Sequence, residues 1–292
     1  MKITLSKHAG FCEGVRRAYD MIVSAVGNPQ VKKPIYVLGS LVHNADVVKN
    51  LEDLGVKKIQ VDRNLFKNLR NLKSKIGTLV ITAHGIGPAL YEFCRKEKIW
   101  LIDTTCPRVI RVQRLAKVFA EKMHKLVIIG DKDHKETKGI REWSKNTAII
   151  VEKVKELKEL KLNSFKRVTV LFQTTQDLDL AEIVSSFVHN FCPDVKVINT
   201  ICRTTHDRQN EVKKIARQSD AVVVIGSSES ANSTRLWEIA KRINPRSYFI
   251  ERADQIKKEW LRKIEKVGIT AGASTPQWVI QEVVEYFRKN GT

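Results

Sequence analysis

The sequence has few of the features that mark several classes of protein. Its 292 residues include only five cysteines and seven prolines, and aromatic residues make up 7%. The cysteines are odd in number and widely spaced, which argues against a disulfide-stabilised secreted domain. No apolar run approaches the roughly 18 residues that a membrane span needs, and no charged-then-apolar segment precedes Cys12 as a targeting peptide would. We expect a soluble, cytoplasmic protein.

Negative charge is also in short supply. Lysine and arginine number 52 against 32 aspartates and glutamates, a formal net charge of +20. Such an excess favours an anionic substrate, an acidic partner protein or nucleic acid. Many lysines fall in helix-like stretches such as residues 154–161 and 257–266, where we expect a solvated face. No helix-turn-helix or zinc-finger signature occurs, so a basic nucleic-acid-binding protein with a structural metal is the weaker alternative.

Three of the cysteines stand at nearly equal spacing and define a threefold internal repeat. Each follows a short apolar run and precedes a helical pattern, which places it at a strand-to-helix turn; these residues are Cys12, Cys106 and Cys202. A repeat this long does not suit a solenoid, but it suits small α/β domains with mainly parallel sheets. We predict domains at residues 13–105 and 106–200, and a third formed by 201–292 together with 1–12.

Each third of the sequence also contains polar segments, and all of them follow directly after an apolar run that we predict to be a strand. In open parallel sheets, ligands bind beyond the carboxyl ends of the strands. Three such domains around a pseudo-threefold axis would bring these polar loops together. The sequence therefore predicts an active site where the domains meet.

The three equivalent cysteines offer one thiolate from each repeat. Three soft ligands suit zinc or an iron–sulfur cluster. No Cys-x-x-Cys pair occurs, so neither a ferredoxin-type carrier nor a zinc ribbon is indicated. A cluster held by three thiolates leaves one iron open to a substrate oxygen. The other two cysteines, Cys94 and Cys192, occupy no repeat position and are interpreted as small buried hydrophobes.

Polar side chains in the same loops are candidates for binding an anion. His43, His84 and His134 occupy corresponding strand-end positions. Residues 227–233 are rich in serine and precede a helix, where free N–H groups favour a phosphate; the alternative is an ordinary N-cap by Asn232 or Ser233. Glu136 is the carboxylate best placed for general acid work. Its alternative is a solvated loop residue.

These motifs together resemble one enzyme family, the 4-hydroxy-3-methylbut-2-enyl diphosphate reductases of the non-mevalonate isoprenoid pathway. The resemblance covers nearly the whole chain, and the motifs follow the order of the family. They are residues 10–15 (GFCEGV), 42–44 (VHN), 83–85 (AHG), 105–107 (TCP), 134–136 (HKE), 173–175 (QTT), 201–205 (ICRTT) and 270–276 (TAGASTP).

The resemblance implies a trefoil of three α/β domains around a 4Fe-4S cluster bound by Cys12, Cys106 and Cys202. It implies that the allylic hydroxyl of the diphosphate substrate meets the open iron and leaves as water, giving isopentenyl and dimethylallyl diphosphates. The residues expected to hold the diphosphate are His43, His84, His134, Ser230, Asn232 and Ser274. The expected catalytic residues are Glu136 on the path of proton delivery, Thr174 near the reacting oxygen, and His134.

The chain departs from the family pattern at two positions. Ala231 stands where a second serine is frequent, which removes one hydroxyl contact, and Lys135 stands where proline is common, which affects the placement of Glu136. A related trefoil iron–sulfur enzyme, of the quinolinate synthase kind, stays an alternative, although it does not account for the histidine, serine and asparagine set. The excess positive charge suits docking of an acidic electron donor such as ferredoxin or flavodoxin.

Overall fold

A computed structural model describes residues 1–62, 64–190 and 194–290. The chain divides into two compact units. Unit 1 comprises Met1–Arg16, Val42–Val47 and Cys202–Thr292, and unit 2 comprises Arg17–Leu41 and Val48–Ile201.

Strands and helices alternate along the described residues. The strands are β1 Lys2–Leu5, β2 Ile35–Leu38, β3 Lys57–Ile59, β4 Thr78–Ile81, β5 Trp100–Asp103, β6 Lys125–Ile129, β7 Ile149–Val151, β8 Val168–Phe172, β9 Val195–Ile198, β10 Ala221–Ile225, β11 Ser247–Ile250 and β12 Lys266–Ala271. The α-helices are α1 Glu13–Gly27, α2 Ala45–Asp53, α3 Leu65–Leu72, α4 Pro88–Lys96, α5 Pro107–Glu121, α6 Lys135–Trp143, α7 Val154–Glu159, α8 Leu178–His189, α9 Arg203–Gln218, α10 Ala231–Ile243 and α11 Gln277–Asn290.

These strands form three four-stranded sheets in which every pairing is parallel. Unit 1 contains the sheet β1-β12-β10-β11, and unit 2 contains β3-β2-β4-β5 and β7-β6-β8-β9. The amino-terminal strand β1 pairs with β12, the last strand in chain order among the described residues, with Lys2 opposite Lys266. The predicted class, repeated α/β units with mainly parallel sheets, is therefore confirmed, whereas the exact domain boundaries stay a prediction.

The central strands explain why the sheets form. Strands β4, β8 and β10 have the sequences TLVI, VTVLF and AVVVI, and all of their residues are buried. Continuous β-branched and apolar runs of this kind are typical of parallel strands that are covered by helices on both faces. The polar loops begin at the carboxyl ends of these strands, where the apolar runs stop.

Two regions differ from the sequence-based expectations. Residues 257–266 read as helix-like, but only a short 3₁₀ helix forms there, at Lys258–Leu261, before β12 begins. Helix α6 was not predicted, because KETKGIREW contains a single aliphatic side chain and so lacks an apolar period. Its buried face is made of Glu136, Thr137, Gly139 and Ile140. Among the described residues, no helix is long and apolar enough to cross a membrane.

Candidate active site

Each of the three equivalent cysteines lies at the start of a helix. The carbonyl of Cys12 accepts from the N–H of Arg16 at 2.9 Å, and the carbonyls of Cys106 and Cys202 accept the corresponding bonds at 3.0 Å. All three thiols are half-buried. A helix start carries partial positive charge and free N–H groups, which favour an anionic ligand. The local equivalence predicted from the repeat is thus confirmed.

Hydrogen-bonding groups within the helix starts approach two of the sulfur atoms. The N–H of Val15 lies 3.5 Å from Cys12 Sγ, and Thr204 Oγ1 lies 3.0 Å from Cys202 Sγ. Hydrogen bonds to ligand sulfurs stabilise the charge of an iron–sulfur cluster and tune its potential. Half-buried free thiols with such contacts fit this group better than they fit inert core cysteines.

Two of the cysteines are hydrogen-bonded to the residue that immediately precedes a predicted substrate residue. The N–H of Cys106 donates to the carbonyl of Ala83 at 3.0 Å, and His84 is the next residue. In unit 1, the N–H of Cys12 donates to the carbonyl of Ala273 at 3.3 Å, immediately before Ser274. The same backbone connection therefore fixes a cysteine beside a polar strand end in both units.

A cluster of buried hydroxyl groups surrounds the start of α10 in unit 1. Ser230 is the N-cap, and its Oγ lies 3.4 Å from the N–H of Ser233. Ser233 Oγ lies 3.0 Å and Ser274 Oγ 3.4 Å from Ser230 Oγ. The alternative N-caps considered from the sequence, Asn232 and Ser233, are wrong, because both lie inside the first turn. A Cβ atom on Gly272 would collide with Ser233 Oγ, so this glycine leaves room for the cluster.

Asn232 is the most informative member of this cluster. Its side chain is buried, at 5% exposure. Neither its amide nitrogen nor its amide oxygen has a hydrogen-bond partner in the described part of the chain. Buried amides are almost always paired, so an unpaired one at a helix start indicates a polar ligand. A phosphate oxygen suits the amide N–H₂ and the nearby hydroxyl donors.

His43 approaches the same serine cluster within unit 1. Its carbonyl lies 3.4 Å from Ser274 Oγ. Its ring Nδ1 lies 3.1 Å from a carboxylate oxygen of the exposed Glu229. The hydrogen bond orients the ring. Ala231, one of the two departures, is the first residue of α10, where it contributes a backbone N–H but no hydroxyl.

In unit 2, His134 is the N-cap of α6. Its Nδ1 accepts from the N–H of Glu136 at 3.2 Å, which in a neutral ring places the proton on Nε2. The rings of His84 and His134 meet edge to face, with centroids 5.4 Å apart. Unit 2 thus brings two of the predicted histidines together, and the Nε2 proton of His134 is suited to bind an anion.

Glu136 is buried in the first turn of α6, with 2% exposure. One carboxylate oxygen accepts from the N–H of Thr174 at 2.6 Å, and the other accepts from Thr174 Oγ1 at 2.8 Å. The interpretation as a solvated loop residue is wrong. Lys135 at the preceding position does not prevent the pairing, so the second departure leaves Glu136 in place.

Burial raises the pKa of Glu136 to about 7, although the two hydrogen bonds from Thr174 favour the ionised form. The negative charge of Asp131 adds to the increase in pKa. A carboxyl group of this kind holds a proton near neutral pH and can release it to a substrate. The Glu136–Thr174 pair is therefore suited to proton transfer.

Cys94 lies in a hydrophobic core and is not part of the candidate site. Cys94 packs among apolar residues of unit 2, including Leu90 and Phe93. Burial raises the pKa of its thiol to about 11, so the interpretation as a small hydrophobe is confirmed. Cys192 lies outside the described residues.

Sequence reasoning missed two buried residues beside the predicted site. Ser233 was considered only as a helix cap, although its hydroxyl contacts that of Ser230. Arg208 is not among the residues singled out from the sequence, but it is only 4% exposed. Its position two turns after Cys202, on the face of α9 that also carries Thr205 and Val212, was the available signal.

The whole chain is similar to one protein family. Residues 3–288 match the family described as LytB protein. The chain belongs to the LytB family. A protein of Pelobacter propionicus, named 4-hydroxy-3-methylbut-2-enyl diphosphate reductase, is 36% identical over 97% of this chain and 96% of its own length. A protein of Caldanaerobacter subterraneus with the same name is 37% identical over 98% of this chain and 96% of its own length.

Solved structures of LytB-family relatives agree with the fold. One, described as (E)-4-hydroxy-3-methyl-but-2-enyl diphosphate reductase, the terminal enzyme of the non-mevalonate pathway, has 35% identity and a TM-score of 0.69, with 99% of this chain and 100% of that chain covered. The E-1-hydroxy-2-methyl-but-2-enyl-4-diphosphate reductase of Plasmodium falciparum has 30% identity and a TM-score of 0.90, with 100% and 90% covered. The predicted membership of this reductase family is confirmed, and the trefoil class is consistent with these matches.

Proposed function

We propose that this LytB-family reductase removes the hydroxyl group of 4-hydroxy-3-methylbut-2-enyl diphosphate and yields isopentenyl and dimethylallyl diphosphates. The reaction consumes two electrons and two protons and releases water. The observation that carries the proposal is the Glu136–Thr174 pair, in which a buried carboxyl accepts two hydrogen bonds and burial raises its pKa to about 7. The unpaired amide of Asn232 independently supports an anionic substrate.

The proposed ligands of the cluster are Cys12, Cys106 and Cys202. When bound, a 4Fe-4S cluster with three protein ligands supplies electrons and an open iron that polarises the substrate hydroxyl. The half-buried thiols at three helix starts and the hydrogen bonds to two of the sulfurs fit such a group. No other described cysteine competes for this role, since Cys94 is part of a hydrophobic core.

The proposed diphosphate-binding residues are His43, His84, His134, Ser230, Asn232 and Ser274. Hydroxyl, amide and imidazole donors with the start of α10 compensate the charge of the phosphates. Anchoring the diphosphate holds the short allyl group in one place, which lowers the entropic cost of the reaction. The name that the relatives share and this donor set agree in substrate class.

Glu136 and Thr174 are the proposed route of the proton. The carboxyl releases a proton toward the leaving oxygen, because hydroxide is a poor leaving group and water is a good one. Thr174 Oγ1 holds one carboxylate oxygen and can relay the proton to the reacting atom. Since the pKa of Glu136 is about 7, the carboxylate can take up a new proton from water at neutral pH after each turnover.

The proposed electron donor is an acidic protein such as ferredoxin or flavodoxin. The net charge of +20 favours association with a negatively charged partner. Added salt screens such steering, so the donor-dependent rate should fall as ionic strength rises. A rate that is insensitive to salt contradicts this part of the proposal. A cytoplasmic location stays a prediction.

The test is an anaerobic assay of the purified protein. Iron and sulfide are counted, and oxidation of reduced methyl viologen is followed after 4-hydroxy-3-methylbut-2-enyl diphosphate is added. We expect substrate-dependent oxidation that Cys106→Ser abolishes and Cys94→Ser, a matched change in the same unit, retains. An iron-loaded protein that is inert to this substrate favours another iron–sulfur enzyme, and a protein with zinc or without metal contradicts the proposal.

A further inference from the structure

We propose that Arg208 is a positioning residue that holds the Cys12 loop in place and supplies a buried positive charge beside two cluster ligands. The inference rests on the proposed function, since it assigns a role toward the iron–sulfur cluster. It concerns only unit 1, which contains Cys12, Cys202 and Arg208.

The guanidinium of Arg208 joins two strand-end segments. Nη2 donates to the carbonyl of Gly10 at 2.7 Å, and Nη1 donates to the carbonyl of Ala271 at 3.0 Å. Gly10 lies two residues before Cys12, and Ala271 ends β12. Because α9 begins at Cys202, one side chain connects the helix of one thiol to the loop of the other.

A second side chain of α9 completes this attachment. Glu211 accepts from Ser6 Oγ at 2.5 Å, from the N–H of Lys7 at 2.8 Å and from the N–H of His8 at 3.2 Å. It therefore holds the first part of the same loop, whereas Arg208 holds the part next to Cys12. The two residues lie one turn apart, which makes Glu211 a matched control for attachment of the loop without the positive charge.

The charge of Arg208 needs a partner, because transferring an ion from water into a protein is costly. Arg208 forms no ion pair with a carboxylate in the described residues. Among the charged groups, Cys12 and Cys202 interact with it most strongly, ahead of Glu211. Two thiolates that bind a cluster are thus its main countercharge. Its Nε, also buried, has no partner among the described residues and is a third donor for a sulfur ligand.

A buried cation beside thiolate ligands changes the redox equilibrium of the cluster. Adding an electron increases the negative charge of the cluster, and a nearby positive charge makes that step more favourable. Arginine suits the position better than lysine, because its planar fork binds two carbonyls at fixed geometry. Substitution of Arg208 by lysine therefore keeps the positive charge but loses the fixed attachment to the two carbonyls.

The experiment compares Arg208→Gln, Arg208→Lys and Glu211→Gln with the unaltered protein under anaerobic conditions. Three quantities are measured: iron and sulfide per chain, the midpoint potential of the cluster by a spectroscopic redox titration, and hydrogen exchange of residues 6–12 in metal-free protein. Circular dichroism of the metal-free variants reports whether each one folds.

For Arg208→Gln we expect reduction of the cluster to become at least tenfold less favourable, which is about 59 mV for one electron. Arg208→Lys should keep most of the potential but share the faster exchange of residues 6–12. Glu211→Gln should accelerate exchange without making reduction of the cluster less favourable, because it removes a negative charge. An unchanged potential in Arg208→Gln, or an equal decrease in Arg208→Lys and Arg208→Gln, overturns the role of the charge. Unchanged exchange in both Arg208 variants overturns the role in positioning.

If Arg208→Gln fails to fold, Arg208→Lys decides the matter: its potential must lie close to that of the unaltered protein, and a large decrease overturns the proposal. Failure of the proposed function has a different result. If the unaltered protein binds no iron–sulfur cluster, both proposals are overturned together. If it binds one and reduces the substrate while Arg208→Gln behaves identically, only the inference about Arg208 fails.

Discussion

The carboxylate of Glu136 and the backbone and hydroxyl of Thr174 form a closed pair, in which each carboxylate oxygen accepts one hydrogen bond, at 2.6 and 2.8 Å. The pair joins the first turn of α6 to the end of β8. The two hydrogen bonds fix the position of the carboxyl group. Its burial raises its pKa, so that it can gain or lose a proton near neutral pH.

We expect Glu136→Gln to reduce turnover by a factor of about 10² to 10⁴, the usual contribution of a general acid. Glutamine keeps the shape and one acceptor, but it cannot release a proton. The measurement is the substrate-dependent oxidation of reduced methyl viologen at saturating substrate. The matched control is Glu142→Gln on the same helix, which should keep its activity. Full activity in Glu136→Gln rejects the acid role.

The same residue predicts a dependence of stability on pH. Burial raises the pKa of Glu136 from 4.5 to about 7 in the folded protein, so the folded state binds the proton more tightly than the unfolded chain does. The resulting stabilisation is fully present below pH 4.5 and is lost as the pH rises through about 7, a change of roughly 3 kcal/mol.

Urea denaturation of the metal-free protein and of Glu136→Gln checks this sign, because the other titrating groups are common to both. The variant should become more stable relative to the unaltered protein as the pH rises through about 7. A constant difference across this range shows that Glu136 does not carry the shifted pKa.

Substitution of Asn232 should affect substrate binding more than it affects the stability of the protein. Since its buried amide has no partner in the described chain, Asn232→Ala should change the free energy of unfolding without ligand by less than about 1 kcal/mol. Binding should suffer more: we expect KM for the diphosphate substrate to rise at least tenfold, or about 1.4 kcal/mol. Ser228→Ala, at an exposed position before the same helix, is the control. An unchanged KM in Asn232→Ala excludes a direct contact with the substrate.

Much of the fold was predictable because its signals are local. Runs such as AVVVI in β10 and the repeated cysteines specify strands and helix starts. Helix α6 was not predictable from periodicity, since its buried face contains Glu136, Thr137 and Gly139 and only one aliphatic residue, Ile140. Its stability depends on contacts with Thr174, which is distant in sequence.

In the candidate site, too, some residues could be predicted from local sequence signals, and others depend on contacts between distant parts of the chain. The three cysteines and the strand-end polar residues were found from the sequence, because equivalent repeat positions and the ends of parallel strands are readable from it. Arg208 was not, because a charged residue in an amphipathic helix is usually solvated. Only its two carbonyl partners, on segments far away in the sequence, distinguish it from the exposed arginines of α9.

Lys135 allows the last departure from the family pattern to be tested directly. It is the first residue of α6, a position where proline is favoured because its φ suits the helix and its lack of an N–H costs little. The preceding residue, His134, has φ −69° and ψ 140°, which is the conformation that a following proline requires. Its backbone therefore need not move in Lys135→Pro.

We expect Lys135→Pro to keep the hydrogen bonds between Glu136 and Thr174 and to change the free energy of unfolding by no more than about 1 kcal/mol, in the stabilising direction. The pH at which turnover is half-maximal should stay where it is, because the surroundings of Glu136 are preserved. Glu142→Pro, in the last turn of the same helix, should by contrast cost about 3 kcal/mol. Thermal unfolding and a pH profile of turnover measure both effects. A shifted profile in Lys135→Pro would show that the lysine itself sets the protonation of the acid.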